Sequence, residues 1–345
     1  MARTNTVGLE RTDYKAQPST LCPGCGHDSI ANQVITMAYD LGLQPQNLVK
    51  FSGIGCSSKS LAYFWGRTHG FNAVHGRMPS VATGTTLANT HLHALGVSGD
   101  GDTGSIGLGQ FKHMVRRNVP IVYIIENNGV YGLTKGQFSA TADLEQNSKY
   151  YGLNELPPVD LALEAIVGGA TFVARSFSGD ASQVQQLLKA AINHRGTAVL
   201  DIISPCVTFN NQPESTKSYP YGKEHEVPLH EIEFMTPDFI ETKQEITVGD
   251  YEEGEVITVD MHDGSFIRLK KIGRDHDPRN RRQAIEVLEQ AEREQLFLTG
   301  LIYYEEPRPT LADTLHIVDE PLRSLPDDKL RPSSDALDTV MHSLM

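Results

Sequence analysis

The sequence predicts an α/β protein built on a doubly wound, mostly parallel sheet, followed by a C-terminal extension. Three observations carry that prediction. Short apolar, β-branched runs alternate with helix-like stretches through the first part of the chain. The run Pro120 to Ile125 is apolar at every position, as expected of a strand covered on both faces. Glycine- and asparagine-rich turns follow two such runs, where open α/β sheets place their ligands.

The elements follow in order. Residues 28–42 read as a helix with Ile30, Val34, Met37 and Leu41 on one stripe; Asp28 can cap it and Gly42 can end it. Leu48 to Phe51 is a short strand running into Gly53-Ile54-Gly55. A small-residue helix is expected over 80–94, beginning near Pro79, with Val81, Ala82, Leu87, Ala88 and Leu92. Leu95 to Val97 is a strand. The helix after it carries Ile106, Leu108, Phe111, Met114 and Val115, which follow helical spacing only loosely, and Asp102 or Thr103 can cap it. Leu161 to Ile166 and Val184 to Ile192 read as helices, Thr171 to Ala174 and Ala198 to Ile203 as strands. Residues 208–227 are polar and read as a loop or linker. Ile257, Val259 and Met261 alternate with polar residues between turn signals, which predicts a β-hairpin. A charged helix is expected over 279–295. The last forty residues are rich in Pro and Asp and read as an arm packed on this or another subunit. The expected division is a domain at 1–210 and an extension at 211–345.

The bulk properties narrow the function. The chain has 345 residues, 39% hydrophobic and 21% charged, a globular balance. A net charge of −13 argues against nucleic-acid or anionic-membrane partners. The N-terminal segment has no apolar core of the signal-peptide kind, and no stretch approaches a membrane span, so a cytoplasmic protein is expected.

The most informative pattern is Gly99-Asp100-Gly101, then twenty-five residues, then Asn127-Asn128. It reads as a site for a magnesium diphosphate. Gly99 and Gly101 let the backbone turn and approach a phosphate without Cβ interference. Magnesium prefers a few hard oxygens shared with substrate phosphates. Asp100 offers a carboxylate, Asn128 an amide oxygen, and Val130 a carbonyl.

There are four cysteines: Cys22, Cys25, Cys56 and Cys206. A disulfide framework does not suit a cytoplasmic chain of this size. Structural zinc is open, since CxxC is a common half-site, although a second CxxC is missing. A cubane iron–sulfur cluster is equally open, because its four thiolates can come from scattered turns.

These motifs together carry a resemblance. The GDG…NN spacing resembles the thiamine-diphosphate motif of thiamine enzymes. Glu126 to Gln137 (ENNGVYGLTKGQ), Cys22 to His27 (CPGCGH), Gly53 to Ser57 (GIGCS) and His75 to Arg77 (HGR) resemble, in the same order, the β subunit of 2-oxoacid:ferredoxin oxidoreductases. The resemblance spans roughly residues 15–210. It implies a thiamine-diphosphate-binding fold, with Mg²⁺ and a [4Fe–4S] cluster on Cys22, Cys25, Cys56 and, less specifically, Cys206. Gly53, Ile54, Gly55, Ser57, His75, Gly99, Gly101, Asp102, Tyr131, Gly132 and Leu133 are the expected cofactor contacts, and His75 and Lys135 the expected catalytic residues. It also implies coenzyme A as acyl acceptor, ferredoxin as electron acceptor, and an α subunit carrying a pyrimidine-binding domain and the activating Glu, both missing here.

The expected reaction is oxidative decarboxylation of a 2-oxoacid, with 2-oxoglutarate ahead of pyruvate. Lys135, or Lys59 as second candidate, would meet a distal carboxylate, whereas Leu133 would suit pyruvate. The competing readings are a non-redox thiamine decarboxylase subunit with structural zinc, and a catalytically silent scaffolding subunit. The basic run Lys112, Arg116 and Arg117 reads as a solvated face before a ferredoxin dock. His91, His93 and His113 read as structural or surface residues.

Overall fold

The computed structural model describes residues 4–235, 256–260, 266–271, 276–294 and 296–345. The chain forms α1 (Gly26–Asp40), β1 (Leu48–Ser52), α2 (Cys56–Ser60), β2 (His69–Asn72), α3 (Met78–Ala88), β3 (His93–Gly99), α4 (Leu108–Arg116) and β4 (Ile121–Asn127). Two small hairpins follow: β5 (Val130–Tyr131) with β6 (Gln137–Phe138), and β7 (Asn147–Ser148) with β8 (Gly152–Leu153). Then come α5 (Leu161–Gly168), β9 (Phe172–Phe177), α6 (Ala181–Ile192) and β10 (Thr197–Ile203). The remainder supplies α7 (Tyr219–His225), β11 (Glu226–Pro228), β12 (His230–Met235), β13 (Val256–Asp260), β14 (Phe266–Lys271), a helix at Arg281–Arg293 and β15 (Phe297–Tyr304).

The main sheet has eight strands in the order β11-β15-β9-β10-β4-β3-β1-β2. Its pairings are parallel except β15 against β9. Strand residues alternate between two apolar layers, as the two-residue period requires. Val122 and Ile124 of β4 pack with Ile30 and Val34 of α1 and Leu187 and Leu188 of α6. Ile121, Tyr123 and Ile125 face the opposite layer, with Phe111 of α4, Ile166 of α5 and Leu288 of the Arg281–Arg293 helix. The sheet is therefore covered on both faces, and its strand ends stay open for a site.

Several boundaries differ from the expectations. Helix α1 starts at Gly26 with Cys25 in the capping position, because the Cys22–Cys25 turn leads directly into it; Asp28 sits inside the first turn. Gly42 does end the helix region, at φ +62°, donating its N–H to the Tyr39 carbonyl. The helix expected over 80–94 stops at Ala88, since His93 is already paired with Leu48 in the sheet. Neither Asp102 nor Thr103 caps α4. A single π turn at Asp102–Ile106 precedes the α-helix, which accounts for the loose spacing seen in the sequence.

Residues 208–227 are not all loop. Ser218 accepts a hydrogen bond from the Tyr221 N–H and starts α7 with a proline in its first turn. The stretch from 211 onward gives β11 and β15 to the main sheet, and β12, β14 and β13 form a three-stranded antiparallel sheet. The expected hairpin is present as β13 and β14; Met261 and the turn at Asp263-Gly264 lie outside the described residues. Residues beyond Ala312 are almost all exposed.

His230 joins the small sheet to the large one. Its Nε2 accepts the Leu301 N–H at 2.9 Å beside Gly300, which holds φ +118°. Burial, with His276 nearby, pulls its pKa down to about 3. The unfolded chain takes up this proton near pH 6.5 and the folded chain does not, so stability falls as pH drops below 6.5. In His230→Gln that contribution disappears. Thermal melts from pH 6.5 to 4.5 are expected to show a shallower loss in the variant, by up to about 1.4 kcal/mol per pH unit. Parallel profiles would contradict the assignment.

Candidate cofactor and cluster site

Strands β3 and β4 lie side by side and parallel, with Gly99 opposite Glu126. That register brings the GDG turn and the paired asparagines to one edge of the sheet. The carboxylate of Asp100 is buried there. Its Oδ2 accepts from the Gly129 N–H at 3.1 Å, from Thr141 Oγ1 at 2.6 Å and from Ser139 Oγ; Oδ1 accepts from the Asn128 N–H at 3.4 Å. Burial raises its pKa, and hydrogen bonds from Ser139 and Thr141 oppose that shift. A buried carboxylate held by donors and facing a cleft has the chemistry of a divalent-cation ligand.

The two asparagines have separate roles. Asn127 points into the protein: its Nδ2 donates to Asp201 Oδ1 at 2.9 Å, and its Oδ1 lies 2.8 Å from Thr141 Oγ1. Asp201 is in turn bridged by Arg175, which also pairs with Asp160. Asn128 and Val130 line the cleft with Asp100. Asn128 Oδ1 accepts the Val130 N–H at 3.0 Å and keeps a second lone pair.

The floor of the cleft comes from the turn after β1. Gly55 has φ +80° and ψ −150°, and a Cβ built on it would meet nothing within 4 Å. It therefore leaves a backbone surface open to a ligand. Ile54, Ser57, Gly99 and Gly101 line the same cleft. A side chain on Gly101 would strike the Tyr131 ring at 2.5 Å, and Tyr131 donates its hydroxyl to the Gly101 carbonyl at 3.0 Å. Gly53, expected at the cofactor, is set one step back: a Cβ there would collide with the Asp102 carboxylate. Asp102 accepts from the Gly76 N–H and from Ser98 Oγ, each at 2.8 Å, and so ties the His75-Gly76-Arg77 loop to the sheet. His75 is exposed at the cleft edge.

The four cysteines gather beside this cleft. A Cβ on Gly132 would lie 3.4 Å from Cys206 Sγ and 3.6 Å from Cys56 Sγ. Cys25 donates its N–H to the Cys22 carbonyl at 3.0 Å. Burial pushes the Cys25 thiol up to about 12, opposed by a backbone hydrogen bond from His27 and reinforced by Glu126, Cys206 and Cys56. Cys56 is raised by burial and next by Cys206. All four cysteines are free. A metal core that deprotonates its thiols would overcome the raised pKa values of Cys25 and Cys56. Among the described residues no three His, Cys, Asp or Glu side chains converge as one metal ion requires.

Sequence reasoning missed the polar residues behind the site. Glu126 is fully buried; Ser60 Oγ lies 3.2 Å from both its oxygens, and burial raises its pKa well above the ordinary value. His27 lines the cleft, with Nε2 3.7 Å from Glu126 and Nδ1 2.6 Å from Ser204 Oγ. Burial lowers its pKa to about 4 and so favours the uncharged imidazole. A carboxylate closing an otherwise apolar strand was the available signal. Ser139, Thr141 and Asn210 had none.

Other expected residues lie at the cleft rim or outside it. Leu133 reaches it and is half exposed, whereas Lys135 is exposed just beyond it, at φ +80°. Lys59 is half-buried near Cys56, whose pKa it lowers. Lys112, in the middle of α4, pairs with Glu164 at 2.6 Å, and Arg116 ends that helix on the side that leads into the amino end of β4. Among the described residues no helix is long and apolar enough to cross a membrane.

Comparison with known proteins agrees with this geometry. The family described as thiamine pyrophosphate enzyme, C-terminal TPP binding domain, matches residues 53–202. The chain is 41% identical over 201 residues to 2-oxoacid:ferredoxin oxidoreductase 2, subunit beta, of Aeropyrum pernix, covering 58% of this chain and 64% of that one. It is 42% identical over 220 residues to 2-oxoglutarate oxidoreductase subunit KorB of Mycobacterium tuberculosis, covering 60% and 58%. These two matches thus take in less than two thirds of either relative. With 2-oxoglutarate synthase subunit KorB of Methanocaldococcus jannaschii it shares 32% identity over 240 residues, 68% of this chain and 87% of that one. The solved 2-oxoglutarate:ferredoxin oxidoreductase from Magnetococcus marinus, with 2-oxoglutarate, coenzyme A and succinyl-CoA bound, superposes with a TM-score of 0.73 at 29% identity, covering 96% of this chain and 100% of that one. With the fold, the diphosphate-type turn pair and the gathered cysteines all in place, the chain belongs to the β-subunit family of the 2-oxoacid:ferredoxin oxidoreductases.

Proposed function

We propose that this chain is the cofactor-bearing subunit of an enzyme that oxidatively decarboxylates a 2-oxoacid, 2-oxoglutarate ahead of pyruvate, to its acyl-CoA. Electrons would leave singly through a [4Fe–4S] cluster to ferredoxin. The observation that carries the reading is the position of the Asn128–Lys135 loop. One end presents Asn128 and Val130 to the cleft beside Asp100, and two residues on Gly132 lies against the sulfurs of Cys56 and Cys206.

In this reading Asp100, the Asn128 amide oxygen and the Val130 carbonyl hold Mg²⁺, while Gly55, Gly99 and Gly101 give the diphosphate room. Cys22, Cys25, Cys56 and Cys206 hold the cluster; their number and spread suit a cubane better than a single zinc ion. Thiamine diphosphate, when bound, supplies the electron sink for loss of CO₂. The chain's own part is to orient that group, keep Asp100 facing the metal through Ser139 and Thr141, and place the electron acceptor one loop away. His75, exposed at the rim, is placed to donate a hydrogen bond to the diphosphate or near the reacting carbonyl. Coenzyme A and 2-oxoglutarate are bound in the Magnetococcus relative, which supports the same substrates here. An α subunit would supply the pyrimidine-binding domain and activating Glu. The exposed apolar Val74, Ile106 and Leu133 around the cleft suit such a cover. The site would lie within residues 1–210, with 211–345 as the extension, in a cytoplasmic complex.

Three experiments test this. Asp100→Ala removes the metal's charged ligand and is expected to weaken magnesium-dependent thiamine diphosphate binding in the complex by more than about a hundredfold, since even outer partners of a metal are worth 10–100-fold. Full cofactor content after purification would reject it.

The wild-type complex is expected to contain equal iron and acid-labile sulfide and no stoichiometric zinc. In Cys206→Ser the iron should fall or the paramagnetic spectrum change, because a hard oxygen replaces a soft thiolate. An unchanged spectrum and iron content would remove Cys206 from the ligand set.

Substrate choice is read from kcat/KM. If Lys135 meets a distal carboxylate, Lys135→Ala should lose about tenfold to a hundredfold for 2-oxoglutarate and little for pyruvate. Equal losses for the two acids would place Lys135 outside the substrate site.

A further inference from the structure

The turn that carries Cys206 and the loop that carries Asn128 meet at one residue belonging to neither proposed ligand set. We propose that Asn210 couples the two cofactors, so that assembly of the iron–sulfur site and binding of magnesium thiamine diphosphate strengthen each other. The inference rests on the cofactor reading given above.

Asn210 is fully buried. Its backbone N–H donates to the Cys206 carbonyl at 2.9 Å, and the two residues form an isolated antiparallel bridge. Its side chain reaches the other way: Nδ2 donates to the Asn128 carbonyl at 2.8 Å. A carbonyl can only accept, so this contact fixes which end of the amide faces Asn128. The amide oxygen is buried without a hydrogen-bond partner. An unsatisfied buried oxygen is costly, and such a group persists where its other end is needed. The fit is close on the magnesium side as well. Gly129, at φ +73°, leaves room for the amide: a Cβ there would sit 2.8 Å from Asn210 Nδ2.

A second contact works in the same direction. Ser204, two residues before Cys206, donates its N–H to the Asn127 carbonyl at 2.7 Å. Both carbonyls of the asparagine pair are therefore held by the segment that delivers Cys206. Fixing Cys206 on a cluster fixes the backbone of Asn210. Asn210 then holds the Asn128 peptide in place before any metal arrives. Without the cluster the turn loses its anchor at the Cys206 sulfur, and binding at Asn128 must also restrain that turn. Binding linkage is reciprocal, so thiamine diphosphate must favour the cluster by the same factor.

The test uses the purified complex of this chain with its partner subunit, cluster-replete and after anaerobic removal of iron by a chelator. Thiamine diphosphate with excess Mg²⁺ is titrated calorimetrically into both forms. In the wild type, stripping is expected to weaken binding on the order of tenfold. Asn210→Ala should weaken binding in the replete form, and stripping should then add less than about twofold. Asn210→Asp keeps the size and the N–H to Cys206 but loses the side-chain donor, and is expected to match Asn210→Ala. Equal affinities in the two wild-type forms overturn the proposal, whatever the variants do. So does a tenfold difference that survives intact in either variant. A complex that holds neither iron nor thiamine diphosphate overturns the cofactor reading as well, whereas one that holds both without linkage overturns only the role of Asn210.

Discussion

Everything at the site depends on the parallel pairing of β3 with β4. Parallel strands joined by a helix end at the same edge, so two distant turns become neighbours without any direct sequence signal between them. With Gly99 opposite Glu126, Asp100 and Asn128 fall on adjacent strand ends. A one-residue slip would send Ile124 and Ile125 to the wrong faces and separate the carboxylate from the amide. The two apolar layers enforce the register, because Val122 and Ile124 bury on one face while Tyr123 and Ile125 bury on the other.

A second layer of polar contacts converts that proximity into fixed geometry. Thr141 touches both Asp100 and Asn127, Asp201 holds Asn127, and Arg175 offsets the charge of Asp201. The links among Asp100, Thr141, Asn127 and Asp201 are buried, where hydrogen bonds are strong and unmet ones are expensive. The arrangement leaves the outward-facing groups of the cleft free for a ligand and commits the inward ones to the protein. Glu126 and His27 extend the same layer towards the cysteines, and burial disfavours the charged form of each.

The crossover from GDG strand to NN strand also shows why helical periodicity weakened in the sequence. The π turn at Asp102–Ile106 inserts its residues before α4 begins, so Ile106 is exposed while Phe111, Met114 and Val115 are buried. That turn brings Gly107 against Gly76 and lets Asp102 clip the His75 loop. The irregularity is thus tied to the site rather than to helix stability.

The sequence by itself determined the fold class, the larger strands and helices between α1 and β10 but not α2, β2 or the short strands β5–β8, the turn pair at Asp100 and Asn128, and the cysteine inventory. These are written in local patterns: periodicity of burial, glycines at turns, and residue types that match a ligand. It misjudged α7, whose proline and glycine read as a loop, and the fate of the later strands. Which strand pairs with which is a long-range choice, so nothing local announced that β15 would lie antiparallel against β9. For the same reason the packing of Gly53 against Asp102, and the contacts of Ser139, Thr141, Asn210 and His27, went unnoticed. Their roles exist only once strands far apart in sequence place them within hydrogen-bond distance, and that placement is decided by packing of the whole sheet.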